Sequence, residues 1–287
     1  MSTPPHPPAP GASDQPAEPF TAALERMNRF QEPEARALIG DLGLPPGSRG
    51  LDVGCGVGLY TLWLAEAAGP GGRVTGIEPN ADRVEAARAL LGGALSTGRL
   101  EFRQGDGTAT EAADHTFDWV WCGDVLHHIR DTPGALKELI RVVRPGGLLI
   151  IKESQALPAL FLPGHPELEK RLQQAEIAWS REEAGERSFQ ERRQRTPESL
   201  REAGLGPVTM RTYLAVRRAP LDEAARGYIQ RVVFDRNWGP RLRDFLGPED
   251  WQRRCVLCEA GSPRAILASP DYYCLYPITV FTARAPA

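Results

Sequence analysis

An α/β fold built on a doubly wound, mostly parallel sheet is what the sequence predicts, and three observations predict it. Short apolar runs alternate with helical segments through residues 50–151 at a spacing that suits strand, helix, strand units. A glycine-rich turn, Gly54-Cys55-Gly56-Val57-Gly58, directly follows the first apolar run. The chain has 287 residues, 41% hydrophobic and 25% charged, which is the balance of an ordinary globular protein with enough length to bury a core unaided.

Residues 1–19 carry seven prolines and almost no large apolar side chain, so they are expected to form a disordered tail. A Pro-Pro-x-Pro-Pro ligand role is available to residues 4–8, but an unselected solvated tail is the plainer reading. Residues 20–42 turn helical, with Leu24, Met27, Ala35, Leu38, Ile39 and Leu42 at spacings of three and four, until Gly43 and Pro45-Pro46-Gly47 stop the pattern. Strands are then expected at 50–53, 73–78, 100–104, 117–122 and 148–151, and helices at 57–68, 81–91 and 136–143. Ligands of such sheets sit beyond the carboxyl ends of the strands, so the residues just after each run carry the functional expectation.

Charge and cysteine content exclude several classes. A net charge of −3 lacks the surplus of Lys and Arg that a broad nucleic-acid-binding face needs. No apolar stretch is long enough to span a bilayer and no leader pattern is visible, so no membrane partner and a cytoplasmic location are expected. Five cysteines spread over this length do not form a disulfide framework. Cys255 and Cys258, with Cys274 downstream, lack the further ligands of a zinc site, so no metal is expected and helix packing is the simpler reading.

The glycine turn brings a ligand close to the backbone at the start of the following helix. A dinucleotide fingerprint would put a third glycine at position 59, where the chain has Leu59. Asp52 lies two residues before Gly54. A fixed carboxylate there opposes a pyrophosphate, at a cost of about 4 kcal/mol for charges 4 Å apart at an effective dielectric of 20, and favours an ammonium or sulfonium. The second strand ends in Glu78-Pro79-Asn80, an acid placed to accept both hydroxyls of a ribose. The third ends in Gly105-Asp106-Gly107, also a common turn sequence. The fourth, 117–122, runs on through Gly123-Asp124-Val125-Leu126-His127-His128-Ile129, and Arg144-Pro145-Gly146-Gly147 precedes the fifth.

In this order and spacing the motifs resemble the class I S-adenosylmethionine-dependent methyltransferases, in particular the small-molecule branch related to ubiquinone and menaquinone biosynthesis enzymes. The resemblance covers about 105 residues and implies a doubly wound, mostly parallel seven-stranded Rossmann-like sheet with an antiparallel last strand, with S-adenosyl-L-methionine as cofactor and S-adenosyl-L-homocysteine as product. It places Asp52, Gly54, Cys55, Gly56, Glu78, Pro79, Gly105, Asp106, Gly107 and Cys122 at the cofactor, with the Asp106 side chain accepting the adenine amino group. For Cys55 and Cys122, a small buried role is the simpler reading of the residues themselves.

The expected division is a tail at 1–19, the N-terminal helix and core at 20–153, a helical lid insertion at 154–195, core helix and strand six at 196–218, a second lid insertion at 219–271, and a terminal core strand at 272–287. In the first insertion Leu168, Leu172, Ala175 and Trp179 share one helical face, and the sign-balanced charges of 167–195 read as a solvated surface. In the second, Tyr228, Val232, Val233, Phe234, Trp238 and Phe245 read as anchors to the core.

Methyl transfer is an in-line displacement that draws chiefly on positioning. The candidate catalytic groups are Asp124, His127 and His128; on a regular helix only one of the two histidines would face a cavity. The expected function is methyl transfer to an O, N or C nucleophile of a small, specialised-metabolite acceptor. No nucleic acid is expected as partner, and the oligomeric state stays open. A peptide or RNA methyltransferase and a nicotinamide-dependent oxidoreductase are the alternatives.

Overall fold

The computed structural model describes residues 19–286, and the proline-rich tail expected at 1–19 lies almost wholly outside them. Helix α1 (Phe20–Asp41) leads into β1 (Arg49–Val53), α2 (Leu59–Ala67), β2 (Arg73–Glu78), α3 (Ala81–Leu90), the short α4 (Gly92–Leu95), β3 (Leu100–Gln104), β4 (Phe117–Gly123), α5 (Thr132–Val142) and β5 (Val143–Ser154). After α6 (Pro166–Ala184), α7 (Phe189–Gln194) and α8 (Thr196–Glu202) come β6 (Thr209–Arg218), α9 (Glu223–Gly227), α10 (Pro248–Cys258) and β7 (Tyr273–Arg284).

The seven strands form one mixed sheet in the order β3-β2-β1-β4-β5-β7-β6. Strands β1 to β5 pair in parallel, and β7 runs antiparallel between β5 and β6. The order reverses beside β1, so the carboxyl ends of β1 and β4 flank the crevice where such sheets take ligands. The expected fold class is the one observed.

Two differences from the sequence expectation bear on the site. α5 begins at Thr132, four residues early, because Asp131 caps it by accepting the Gly134 N–H at 2.9 Å. β5 runs on to Ser154, since its pairing with β7 continues to Ser154 against Ile278.

Alternation along the strands divides the core into two layers. Trp119, Trp121 and Ile150 face the layer of α1, α2 and α6, whereas Val120, Cys122, Leu149 and Ile151 face α5 and α8. Residues 154–195 and 219–271 also carry apolar faces into the first layer. Leu168, Leu172 and Ala175 of α6 are buried there, as are Tyr228, Val232, Val233, Phe234 and Trp238. Residues Tyr228–Asn237 form a π-helical segment rather than an α-helix, and the Trp238 N–H closes it on the Val233 carbonyl at 2.8 Å. Such wide turns are rare and concentrate at functional sites.

Candidate active site

A cavity of about 950 Å³ opens at the carboxyl ends of β1, β2 and β4, roofed by α1, α6, α7 and the π-helical segment. Asp52, Gly54, Cys55, Gly56, Glu78, Pro79, Asp106, Gly107, Asp124, His127 and His128 all line it. Gly105 and Cys122, both expected at the cofactor, do not line it. Cys122 points the other way, into the layer between the sheet and α5, because strand parity puts it on the Val120 face.

The first half of the cavity is the glycine turn and the two carboxylates around it. Gly54 has φ of +70°, and a Cβ there would stand 2.3 Å from Val125 Cγ2, so no other residue fits this turn unstrained. A Cβ on Gly107 would meet Val53 Cγ1 at 2.7 Å. Glu78 is buried; its Oε2 accepts the Gly56 N–H at 3.2 Å, and its Oε1 accepts from the Asn80 N–H at 3.3 Å and Arg83 Nη1 at 3.0 Å. Asp52 is buried as well and accepts from the Thr61 hydroxyl at 2.6 Å. Burial, with the nearby Glu78 charge adding to it, pushes the Asp52 carboxyl up to about 7. Two buried acids on one glycine cradle suit a ligand that brings a cation and hydroxyls. Asp106 is tied locally, its Oδ1 accepting from the Thr108 N–H at 2.7 Å and hydroxyl at 2.8 Å. Burial and the Asp52 charge push the Cys55 thiol far up, so it stays protonated.

The second half is built at the ends of β4 and β5. Asp124 sits at φ +55°, a left-handed turn that folds its carboxylate back onto β5. There it is ion-paired with Lys152 and accepts from the Ser154 N–H at 2.6 Å and Ser154 hydroxyl at 2.9 Å. Burial opposes its charge, but Lys152 and the Ser154 donors outweigh it and hold the carboxyl down to about 2. Lys152 also donates to Gln31 Oε1 at 2.8 Å. The same oxygen accepts from the Tyr60 hydroxyl at 2.8 Å, while Gln31 Nε2 donates to Ser154 Oγ at 3.2 Å and Tyr276 OH at 3.1 Å. This buried polar network is satisfied at every member named, which fixes one arrangement.

Both histidines line the cavity, contrary to the expectation that only one would. Leu126–His128 is a tight three-residue turn, not a regular helix, and it tilts the two rings together with centroids 4.1 Å apart. His127 is buried, with Nδ1 2.6 Å from Glu153 Oε2 and Nε2 2.9 Å from Arg193 Nη2. A guanidinium only donates, so Nε2 is the bare nitrogen and Nδ1 carries the proton that it gives to Glu153. Burial, and then the Arg193 charge, push His127 well below its ordinary value, while burial pushes Glu153 up to about 8 against the pull of Arg193. The His128 ring stands 4.6 Å from the Phe189 ring and opens to the cavity. Burial within the site, and then His127 and Arg193, hold it below its usual value too, so it is neutral at neutral pH.

Lys152, Glu153, Ser154, Gln31 and Arg193 were not singled out from the sequence. The first three follow the run predicted as the fifth strand, 148–151, and close the strand as observed, so position at a strand end was a usable signal for them. Gln31 and Arg193 come from α1 and α7, far away in the chain, and nothing local marks them. The balanced charges of 167–195, expected to be solvated, are partly turned inward. Glu169 is buried and accepts the Phe161 N–H at 2.5 Å and the Leu162 N–H at 3.0 Å, and Glu176 and Arg193 line the cavity.

Cys255 and Cys258 lie in the last turn of α10, and all five cysteines are free. Among the described residues, no group of three or more His, Cys, Asp or Glu is placed to hold a metal ion, and no helix is long and apolar enough to cross a membrane.

Residues 51–151 match the family model of a methyltransferase domain. Over 119 residues the chain is 34% identical to demethylmenaquinone methyltransferase from Staphylococcus aureus, covering 42% of this chain and 48% of that protein, so the chain spans about half the length of the curated relatives it matches. Among solved structures, YcgJ from Bacillus subtilis superposes with a TM-score of 0.55 at 17% identity, covering 88% of this chain and 99% of that one. A SAM-dependent methyltransferase from Aquifex aeolicus does so with a TM-score of 0.50 at 20% identity, covering 66% and 90%. The matched stretch runs from β1 into β5 and supplies the glycine cradle and the Asp124 to His128 turn.

Proposed function

We propose that this chain, through the methyltransferase domain at residues 51–151, transfers a methyl group from S-adenosyl-L-methionine to an O, N or C nucleophile of a small-molecule acceptor. The observation that carries the reading is the pair of buried carboxylates, Asp52 and Glu78, on one glycine cradle. Such a pair favours a donor whose ammonium and sulfonium are cationic and which has ribose hydroxyls but no phosphate, and it disfavours a dinucleotide. Asp52 would take the ammonium, Glu78 the ribose, and the Gly105-Asp106-Gly107 turn the adenine. When bound, the donor supplies an electrophilic methyl group on sulfur.

The chain's own part is to position the acceptor and exclude water. The Gln31, Tyr60, Lys152, Asp124 and Ser154 network makes a rigid wall beside the cradle, and the inserted helices roof it with Phe161, Trp179, Tyr228 and Trp238. Asp124 is a weak base, being ionised and saturated with donors. The lone pair of His127 is already taken by Arg193. His128, neutral and open to the cavity, is therefore the candidate group to receive a proton from an acceptor that must lose one, but burial, His127 and Arg193 hold its basicity down as well, so its contribution is small beside positioning. The name of the demethylmenaquinone methyltransferase relative supports an acceptor of small, quinone-like character.

Labelled methyl donor added to a cell extract with the protein tests the reading. Label is expected in the small-molecule fraction; label in protein or RNA would assign a macromolecular acceptor instead.

A further inference from the structure

Two of the cations lining the cavity hydrogen-bond carboxylates directly: Lys152 is paired with Asp124, and Arg83 with Glu78 at 3.0 Å. Arg193 is held differently. Its Nη2 donates to a neutral histidine at 2.9 Å, and the nearest carboxylate, Glu153, stands 3.8 Å from its Nε and takes its hydrogen bond from His127 instead. The Arg193 Nε is buried with no hydrogen-bond partner among the described residues. That nitrogen is enclosed on the Glu153 side, so it is the rest of the fork, on a side chain 21% exposed, that a ligand in the cavity can reach.

Arg193 is also aimed. It sits on α7, whose first turn is locked by the reciprocal Ser188 and Glu191 capping box, and Glu153 and His127 fix the guanidinium from below. Four residues earlier on the same helix, and on the same face, Phe189 packs against the His128 ring at the cavity wall. A flat surface for a ring and a partly exposed planar fork therefore lie side by side. A cationic methyl donor in the cradle makes another cation unwelcome nearby, which an anionic acceptor relieves.

We infer that Arg193 is a specificity-determining residue that binds an oxyanion, a carboxylate or phenolate, carried by an aromatic acceptor stacked beside Phe189 and His128. The inference rests on the methyltransferase reading and deepens it. Glu153 and His127 act through Arg193 and are positioning residues. The guanidinium fork matches a carboxylate with two parallel hydrogen bonds, or a phenolate with converging ones.

The test uses the full chain saturated with S-adenosylhomocysteine and reads the stabilisation of thermal unfolding by two matched pairs of probes. These are 4-hydroxybenzoate with 4-hydroxybenzamide, and 4-nitrophenol with 4-nitroanisole, at a pH where both acids are ionised. At least one anion is expected to bind about tenfold or more tighter than its neutral partner, the first pair assigning a carboxylate and the second a phenolate. Arg193→Gln should abolish that preference and Arg193→Lys should keep part of it, both with unchanged S-adenosylhomocysteine affinity, which shows the cradle is folded. Equal binding within both pairs, no binding by any probe, or a preference surviving in Arg193→Gln would overturn the inference. Failure of the wild-type chain to bind S-adenosylhomocysteine would overturn the functional reading beneath it.

Discussion

Lys152 and Glu153 are consecutive residues of β5, and strand parity sends their side chains to opposite faces of the sheet. Lys152 reaches the α1 layer and pairs with Asp124 and Gln31, while Glu153 reaches the other face and fixes His127, through which Arg193 is held. One strand end thus braces both the wall beside the cradle and the cation at the far side of the cavity. A one-residue slip of β5 against β4 would exchange the two and dismantle both.

The raised Asp52 carboxyl gives the cradle a pH dependence with a definite sign. The folded chain keeps its proton up to about 7, whereas the unfolded chain loses it near 3.8, so in this window Asp52 costs stability as pH rises, at up to about 1.4 kcal/mol per pH unit. A ligand ammonium needs the ionised form, so S-adenosylhomocysteine should bind about tenfold tighter at pH 8 than at pH 6. Asp52→Asn should remove both dependences, as measured by calorimetric titration and by denaturation at each pH.

Replacing Asp124 by Asn leaves Lys152 as a buried cation without its counter-charge. A loss of about 3–5 kcal/mol in unfolding free energy is expected from denaturant titration. A small change in stability together with a large loss of turnover would instead mark Asp124 as a group that acts in the chemistry.

The two histidines should respond differently to substitution. His128→Ala should lower turnover by about tenfold or less, because its depressed basicity makes it a poor proton acceptor, with folding unaffected. His127→Gln should weaken acceptor binding by loosening Arg193. It should also relieve the acid sensitivity that a buried neutral histidine imposes, because below 6.5 the unfolded chain binds a proton that the folded one refuses. Denaturation at pH 7 and pH 5 compares the two slopes.

Gly54→Ala places a Cβ against Val125 in a left-handed backbone conformation. It should cost about 1–3 kcal/mol of stability and reduce S-adenosylhomocysteine affinity, both read from thermal unfolding with and without that molecule.

Much of this was legible locally. Strand and helix periods, the glycine turn and the acids at strand ends are short-range signals, and they placed the sheet, Asp52, Glu78 and the Asp124 to His128 turn at one cavity. Gln31 and Arg193 were not legible, because their roles come from elements that meet only on folding. Cys122 was expected at the cofactor from its place in a motif, whereas the alternation that puts Trp121 toward α2 puts the Cys122 side chain behind the sheet. The pairing of the histidines was misjudged because a three-residue turn does not carry the angular step of a regular helix.

The most direct measurement is a calorimetric titration of the intact chain with S-adenosylhomocysteine and, separately, with NAD. Saturable binding of S-adenosylhomocysteine, weakened by Asp52→Asn, with little or no heat from NAD, is the expected result. Tighter binding of NAD, or a cradle that stays empty of S-adenosylhomocysteine at millimolar concentration, would contradict it.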